Sequence, residues 1–74
     1  MSYFDTWAIY NPAHDPDTWL VLRWRIQDGD VSQRGALVAS TLDDARELVP
    51  VRSLGLVRME PADDDVPDLV ETWL

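Results

Sequence analysis

The sequence contains no cysteine and no lysine. Without cysteine, the chain has no disulfide, no thiolate zinc ligand and no thiol nucleophile. Its three glycines, Gly29, Gly35 and Gly55, are scattered, so they form no loop that would cradle a phosphate. No apolar run approaches the roughly 20 residues that span a bilayer, and the N-terminus, MSYFDTWAIYNP, lacks the basic and apolar regions of a signal peptide. These absences predict a cytoplasmic protein, or one in the host cytoplasm if a phage encodes it, without membrane contact.

The length and composition predict a single domain over residues 1–74. Domains of this size bury only about 60 % of the surface that their unfolded chain exposes, so the core is small. Hydrophobic residues make up 46 % of the chain, which is typical of a globular domain. Tryptophans are the obvious core material because each large aromatic buries roughly 150–250 Å²; they are Trp7, Trp19, Trp24 and Trp73.

Acidic residues outnumber arginines by 14 to 6, which gives a net charge of −8. A surface of this charge repels nucleic acids and anionic membranes and attracts basic protein surfaces. Acidity of this kind also arises from the base composition of a genome or from adaptation to salt, and the overall charge leaves these alternatives open. The local clustering of the acids is therefore more informative than their number.

Two segments near the N-terminus predict paired strands. Tyr3–Tyr10 is aromatic and β-branched, and Asn11-Pro12 ends it. In residues 18–27, TWLVLRWRIQ, polar and apolar positions alternate with a period of two. This alternation places Leu20, Leu22, Trp24 and Ile26 on one wholly apolar face, which we expect to face the core, and the opposite face carries the two arginines of the segment. We expect the two strands to pair in an antiparallel way across the loop PAHDPD.

One short amphipathic helix is predicted in STLDDARELVP. Ser40 or Thr41 is suited to cap its N-terminus, and two aspartates in its first turn interact favourably with the helix dipole. Apolar residues follow at helical spacing and form one stripe; they are Leu42, Ala45, Leu48 and Val49. The helix is too short to be stable alone, so it must pack on a sheet.

Three further segments are candidate strands. Residues 36–39 and 54–59 are short and apolar, and residues 69–74, LVETWL, alternate. A free tail would leave a tryptophan and three aliphatic residues exposed to water. We therefore expect the C-terminus to belong to the fold and EPADDDVPD to form a loop. The sequence thus predicts an α+β fold, with an antiparallel sheet of three to five strands and one short amphipathic helix packed on one face.

No motif of a catalytic site is present. His14 is the single histidine, and it lies in a loop without a nucleophile signature nearby. One histidine and no cysteine make a poor zinc site. The clusters DPD, DGD and DDD do not match the calcium loop of an EF-hand. We therefore predict no enzymatic activity, no metal and no cofactor, with a calcium-dependent or carboxylate enzyme as the weakest alternative.

Nucleic-acid binding is also disfavoured. Arg23 and Arg25 alternate with tryptophans, as in a surface that stacks bases. The strand alternation, however, places Trp24 on the apolar face, away from both arginines. We expect Trp24 in the core, and Arg23 and Arg25 paired with acids across the sheet.

The acids are the remaining candidates for a binding site. Rows of carboxylates on a rigid scaffold can imitate the charge spacing of DNA, which is one charge per roughly 1.7 Å of helix axis. The candidate residues lie on the helix, in the C-terminal loop and in the last strand; they are Asp43, Asp44, Glu47, Glu60, Asp63, Asp64, Asp65, Asp68 and Glu71. The alternative is that they form an ordinary solvated surface.

The segments WAIYNPAHDPDTWLVLRWRI, STLDDARELVP and DDDVPDLVETWL together resemble a family of uncharacterised acidic proteins of similar length from bacteria and phages. The resemblance covers most of the chain, and its motifs imply a shared fold. By size and charge, such proteins resemble phage-encoded inhibitors of host defence, including anti-restriction and anti-CRISPR proteins. The resemblance implies a partner that is a basic protein surface, such as that of a nucleic-acid-binding effector complex.

Two functions follow as expectations. The first is a non-enzymatic acidic interaction protein that occupies the basic nucleic-acid-binding surface of a host defence complex. The second is a small structural or assembly module that forms a homodimer or adds an edge strand to a partner, through a terminal strand that ends in Trp73 and Leu74. The sequence specifies neither the partner nor the oligomeric state.

Overall fold

The computed structural model describes residues 3–60 and 68–74, except for the side chains of residues 52 and 53. Its elements in chain order are the strands and helices β1 (Tyr3–Tyr10), β2 (Trp19–Gln27), β3 (Asp30–Ala39), α1 (Leu42–Glu47), α2 (Val51–Leu54), β4 (Arg58–Met59) and β5 (Leu69–Trp73). The strands form one antiparallel sheet in the order β3-β2-β1-β5-β4. This confirms the predicted α+β fold and its sheet of three to five strands. None of the helices in the described ranges has the length and apolar character needed to cross a bilayer.

The predicted pairing of β1 with β2 is confirmed. Their register runs from Tyr3 opposite Gln27 to Tyr10 opposite Leu20. The loop between the strands is held by Asn11, whose side-chain amide donates hydrogen bonds of 2.9 Å to two carbonyl oxygens further along the loop. The first two strands are therefore joined by an ordered connection.

A tight hairpin joins β2 to β3. Asp28 and Gly29 both have positive φ, 53° and 83°, and positive φ at both central residues matches the twist of a two-residue hairpin turn. Because this turn places Asp30 opposite Gln27, β3 starts at Asp30 and not near Ala36, where the apolar residues begin. The strand also contains a bulge opposite the Arg23–Trp24 step.

Of the two predicted caps of α1, Ser40 and Thr41, the structure has Thr41, whose hydroxyl oxygen accepts a hydrogen bond of 3.1 Å from the backbone N–H of Asp44. Ala45 and Val49 are buried against the sheet, whereas Leu48 is exposed. A single turn of helix, α2, follows and ends at Gly55 in the left-handed conformation. This turn occupies residue 54, where the sequence had predicted the start of a strand.

The core lies between the sheet and the helices. Its buried cluster consists of Trp7, Ile9, Val21, Ala45 and Val49, and half-buried hydrophobic residues pack against it; these are Trp19, Ala39, Leu42, Val51, Leu56 and Trp73. The strand residues of the core share one face of the sheet, and α1 covers that face.

The prediction that Leu20, Leu22, Trp24 and Ile26 of β2 face the core is therefore wrong. Helix α1 packs on the face of Trp19 and Val21, which is also the face of the two arginines of β2. Trp24 is only half-buried and is not part of the core cluster. The covered face can hold arginines because Asp5 of β1 lies opposite Arg25 and balances its charge.

The C-terminus belongs to the fold, as predicted. Strand β5 lies between β1 and β4, and Leu74 exchanges backbone hydrogen bonds of 2.9 and 3.1 Å with Val57. Thr72 and Trp73 of β5 pair with both β1 and β4, so this part of the last strand is not the free edge that the second expected function requires. Within residues 3–60 and 68–74, the edges of the sheet are β3 and β4.

Candidate interaction surface

The face of the sheet opposite α1 carries no helix of the described chain, and we call it the open face. Strand alternation and pairing define it, since Ala8 lies between the core residues Trp7 and Ile9 and points the other way. Its members are Phe4, Thr6, Ala8, Tyr10, Leu20, Leu22, Trp24, Ile26, Val31, Gln33, Ala36, Val38, Met59 and Thr72.

The open face is both apolar and free of charge. None of its members is an aspartate, glutamate, arginine or histidine. Large hydrophobic side chains at its periphery are well exposed, including Phe4 at 55 %, Val31 at 62 % and Val38 at 67 %. Thr6 and Ala8 at its centre are buried, and the β2 residues are half-buried. Exposed apolar side chains grouped in this way mark interaction sites in folded proteins.

The covered face, in contrast, contains ionic groups. Arg25 donates hydrogen bonds of 2.9 and 3.4 Å to the two carboxylate oxygens of Asp5, and its guanidinium carbon lies 3.9 Å from the centre of the Tyr3 ring. The hydrogen bond from Arg25 holds the pKa of Asp5 below its ordinary value, although burial opposes this effect. The predicted pairing of Arg23 and Arg25 with an acid across the sheet is thus confirmed.

Glu71 is part of a second ionic cluster on this face. Arg46 of α1 donates hydrogen bonds of 2.9 and 3.0 Å to its two carboxylate oxygens, and the indole N–H of Trp73 donates another of 3.1 Å. A guanidinium nitrogen of Arg58 lies 3.8 Å from a carboxylate oxygen of Glu71. The Glu71 side chain is only 3 % exposed, so it cannot contact a partner in this structure, and its inclusion among the surface acids is corrected.

The other candidate acids lie in different surroundings. The three on α1, Asp43, Asp44 and Glu47, are exposed, as is Glu60, whose carboxylate lies 3.2 Å from Arg58. Asp68 is half-buried, and its carbonyl accepts a hydrogen bond from the N–H of Asn11. The remaining candidates, Asp63, Asp64 and Asp65, lie outside the described residues.

Within the described ranges, no three side chains of histidine, aspartate or glutamate are placed to hold a metal ion. His14 is exposed in its loop.

The sequence did not predict the open face as a surface, because its four β2 residues, Leu20, Leu22, Trp24 and Ile26, were expected to face the core. A signal for it does exist in the sequence. In the predicted pairing of β1 with β2, Asp5 can lie opposite Arg25, so the arginine face is able to neutralise itself. A helix of six residues is also too small to cover a sheet with apolar residues on both faces.

Comparisons of the chain with protein families, with curated proteins and with solved structures found no match. The resemblance to acidic phage and bacterial proteins therefore stays a prediction.

Proposed function

We propose that the protein is a non-enzymatic interaction module that binds a second copy of itself through the open face. One observation carries this proposal: the more apolar face of β2, with Leu20, Leu22, Trp24 and Ile26, is the face that no described helix covers. These four side chains are half-buried in the single chain, so covering them completely contributes less than the roughly 1.5–3 kcal/mol of a fully exposed side chain, about 1 kcal/mol each. A second layer over this face would therefore be favourable.

The size of the open face fits a small dimer. Strands of 8, 9 and 10 residues, with the two short strands beside them, present roughly 500 Å² in projection. Two copies packed face to face would remove roughly 1,000 Å² from water, which reaches the lower limit for a specific interface. Sheets commonly pack face to face about 10 Å apart, and a twofold axis allows the same surface to serve both copies.

The charge distribution also suits a second copy. Each chain carries a net charge of −8, but the acids whose positions are described lie on the helix side, in the loops and at the turns, away from the open face. Within residues 3–60 and 68–74, two open faces can therefore approach without placing like charges in contact. The remaining long-range repulsion is screened over about 8 Å at physiological ionic strength. Dimerisation is therefore expected to strengthen as salt is added.

The experiment is sedimentation equilibrium on the full chain over a range of protein and salt concentrations. We expect a monomer–dimer equilibrium that shifts towards the dimer with salt. The double variant Val31→Glu, Val38→Glu places two charges on the open face and should be monomeric. Both positions are exposed, so the fold should be retained, with a change in stability of about 0.5 kcal/mol per substitution or less.

A matched control is available in the same strand. Ser32 is exposed and lies between Val31 and Gln33, but on the opposite face. Ser32→Glu adds one charge on the other face and should leave the dimer intact, whereas the single variant Val31→Glu adds the same charge on the open face and should weaken it. A wild-type chain that stays monomeric at NMR concentrations in high salt would refute the proposal, as would equal dissociation of the dimer by Ser32→Glu.

A second candidate function is supported by the exposed acids of α1. The Asp43 side chain is 94 % exposed, and Asp44 and Glu47 are exposed beside it. This acidic surface supports binding to a basic protein surface, as in an anti-restriction or anti-CRISPR inhibitor that occupies a nucleic-acid-binding site. Binding of this kind weakens as salt is added, so its salt dependence is opposite to that of the dimer.

The test is inhibition of DNA cleavage by a panel of restriction endonucleases and CRISPR effector nucleases. The variant Asp43→Asn, Asp44→Asn, Glu47→Gln should lose inhibition of whichever nuclease the wild type inhibits. A control with the same change of charge, Asp17→Asn, Asp28→Asn, Asp30→Asn, alters exposed acids elsewhere and should retain it. Equal inhibition by all three proteins, or no inhibition by the wild type, would exclude this function for the helix acids.

A further inference from the structure

A cavity of about 390 Å³ lies on the covered side of the sheet, next to the C-terminal end of α1. Its walls come from β1, β2, β3 and the segment after the helix, and they are mainly apolar; they include Trp7, Val21, Leu37, Leu48 and Pro50. The volume lies within the range of pockets that bind small ligands, about 300–1,000 Å³. Among the described residues, Arg23 is the one charged residue in the wall.

Arg23 is incompletely paired. Asp5, the acid nearest to it in the neighbouring strand, lies opposite Arg25 and already accepts two hydrogen bonds from that residue. The Nε atom of Arg23 lies 3.6 Å from the same carboxylate, which is too long for a hydrogen bond. This atom is buried, and among the described residues it has no hydrogen-bond partner. A buried donor without a partner is costly, so an acceptor at this position would be favourable.

The surroundings of Arg23 are locally positive although the chain as a whole is acidic. Arg23 and Arg25 lie 3.6 and 2.9 Å from the carboxylate of Asp5, so two guanidinium groups share one carboxylate. The Arg23 side chain is 42 % exposed, so its charge is accessible to a ligand.

We propose that this cavity binds a small organic anion, with a carboxylate or phosphate group on Arg23 and an apolar body against Trp7, Leu37 and Leu48. Guanidinium groups bind both anions through charged hydrogen bonds. The apolar walls favour an alkyl or aromatic body over a sugar. This binding site is on the face opposite to the proposed dimer contact, so either proposal can fail without the other.

The experiment is a titration of the full-length, ¹⁵N-labelled protein, followed by amide and indole chemical shifts. The probes are octanoate, octyl phosphate, octanol and inorganic phosphate. We expect octanoate or octyl phosphate, or both, to shift the Trp7 indole and the amides of Leu37 and Leu48, and the stronger of the two identifies the anionic group. Octanol and inorganic phosphate, which each lack half of the ligand, should bind at least about tenfold more weakly.

Two variants test the assignment of the cavity. Arg23→Gln should weaken binding of the anionic probes about tenfold or more, while binding of octanol is unchanged. Arg34→Gln removes the same charge from an exposed residue outside the cavity wall and should bind the probes nearly as the wild type does.

Gly35→Val provides a second approach that preserves the ion pairs. A Cβ atom at Gly35 would meet only Cβ of Arg23, at 4.0 Å, so the strand can accept a side chain there. The added atoms would occupy space in the cavity and should weaken binding of both octanoate and octanol. Equal affinity for octanoate and octanol in the wild type, equal effects of Arg23→Gln and Arg34→Gln, or shifts confined to the open face would each overturn the proposal.

Discussion

Arg46 and Glu71 join the helix to the last strand through two parallel hydrogen bonds of 2.9 and 3.0 Å. The two residues are 25 positions apart in the chain, and the carboxylate is buried while the guanidinium is 37 % exposed. A paired geometry of this kind is stronger than a single contact because both oxygens of the carboxylate are bonded. The pair therefore connects α1, which packs on β2 and β3, to β5 on the other side of β1.

The first prediction concerns the strength of this connection. Glu71→Gln keeps the shape of the side chain but replaces one acceptor by a donor that faces Arg46. We expect the free energy of unfolding to fall by about 2–3 kcal/mol, a large part of the total for a domain of this size. Glu47→Gln, an exposed position on α1, is the matched control and should change it by about 0.5 kcal/mol or less. Urea unfolding measures the free energy of unfolding of both variants. Equal decreases in the two would mean that the Arg46–Glu71 pair contributes no more to stability than an exposed residue does.

The second prediction concerns pH. Hydrogen bonds from Arg46, with a smaller contribution from Trp73, hold the pKa of Glu71 below its ordinary value of about 4 despite its burial. A lowered pKa means that the folded state binds the proton less readily than the unfolded state does. The stability from Glu71 is therefore complete above pH of about 4 and is lost as the pH falls through the folded-state pKa.

This pH dependence is best measured as a difference. Acidification also relieves the repulsion within a chain of net charge −8, which acts in the opposite direction. The difference in free energy of unfolding between the wild type and Glu71→Gln cancels that common effect. It should be constant near neutral pH and shrink below pH of about 4. A difference that stays constant down to the lowest pH at which the protein folds would contradict the assigned ion pair.

The third prediction concerns the start of α1. The hydroxyl oxygen of Thr41 accepts a hydrogen bond from the N–H of Asp44, so Thr41→Ala should reduce the free energy of unfolding by about 1 kcal/mol. The sequence allowed either Ser40 or Thr41 as the cap. Ser40→Ala is therefore the natural control and should have little effect. Thermal unfolding of the two variants distinguishes them, and a larger effect of Ser40→Ala would place the cap one residue earlier.

The sequence was sufficient to predict the bounds of those strands and helices whose local pattern has one interpretation. Strand β1 has the predicted bounds because its aromatic run ends at Asn11-Pro12, and the helix start follows from its cap. Strand β3 was underestimated because DVSQRG has no apolar alternation of its own. It is extended by pairing with β2 through the Asp28-Gly29 turn, a tertiary effect that a local pattern does not contain.

The two faces of β2 show a second limit of prediction from a local sequence pattern. Alternation correctly separated Leu20, Leu22, Trp24 and Ile26 from Trp19, Val21 and the arginines, but it did not decide which set the helix covers. That choice depends on β1, which places Asp5, Trp7 and Ile9 on the arginine side. The open face is the side of the sheet that α1 does not cover. It could therefore be predicted only once the side covered by α1 was known.

The last prediction concerns the C-terminal strand. A chain that ends at Leu69 would lose Glu71 and Trp73 from the covered side, the pairing with β1 and the partner of β4. Since the total stability of such a domain is only about 4–11 kcal/mol, we expect this truncated chain to be unfolded, with a disordered far-UV circular dichroism spectrum and no dispersed amide signals. Leu74→Ala, which keeps the backbone hydrogen bonds to Val57 and changes a side chain that is 47 % exposed, should remain folded. Cooperative unfolding of the truncated chain would show that β5 is an accessory strand and that the first three strands with α1 form a stable unit by themselves.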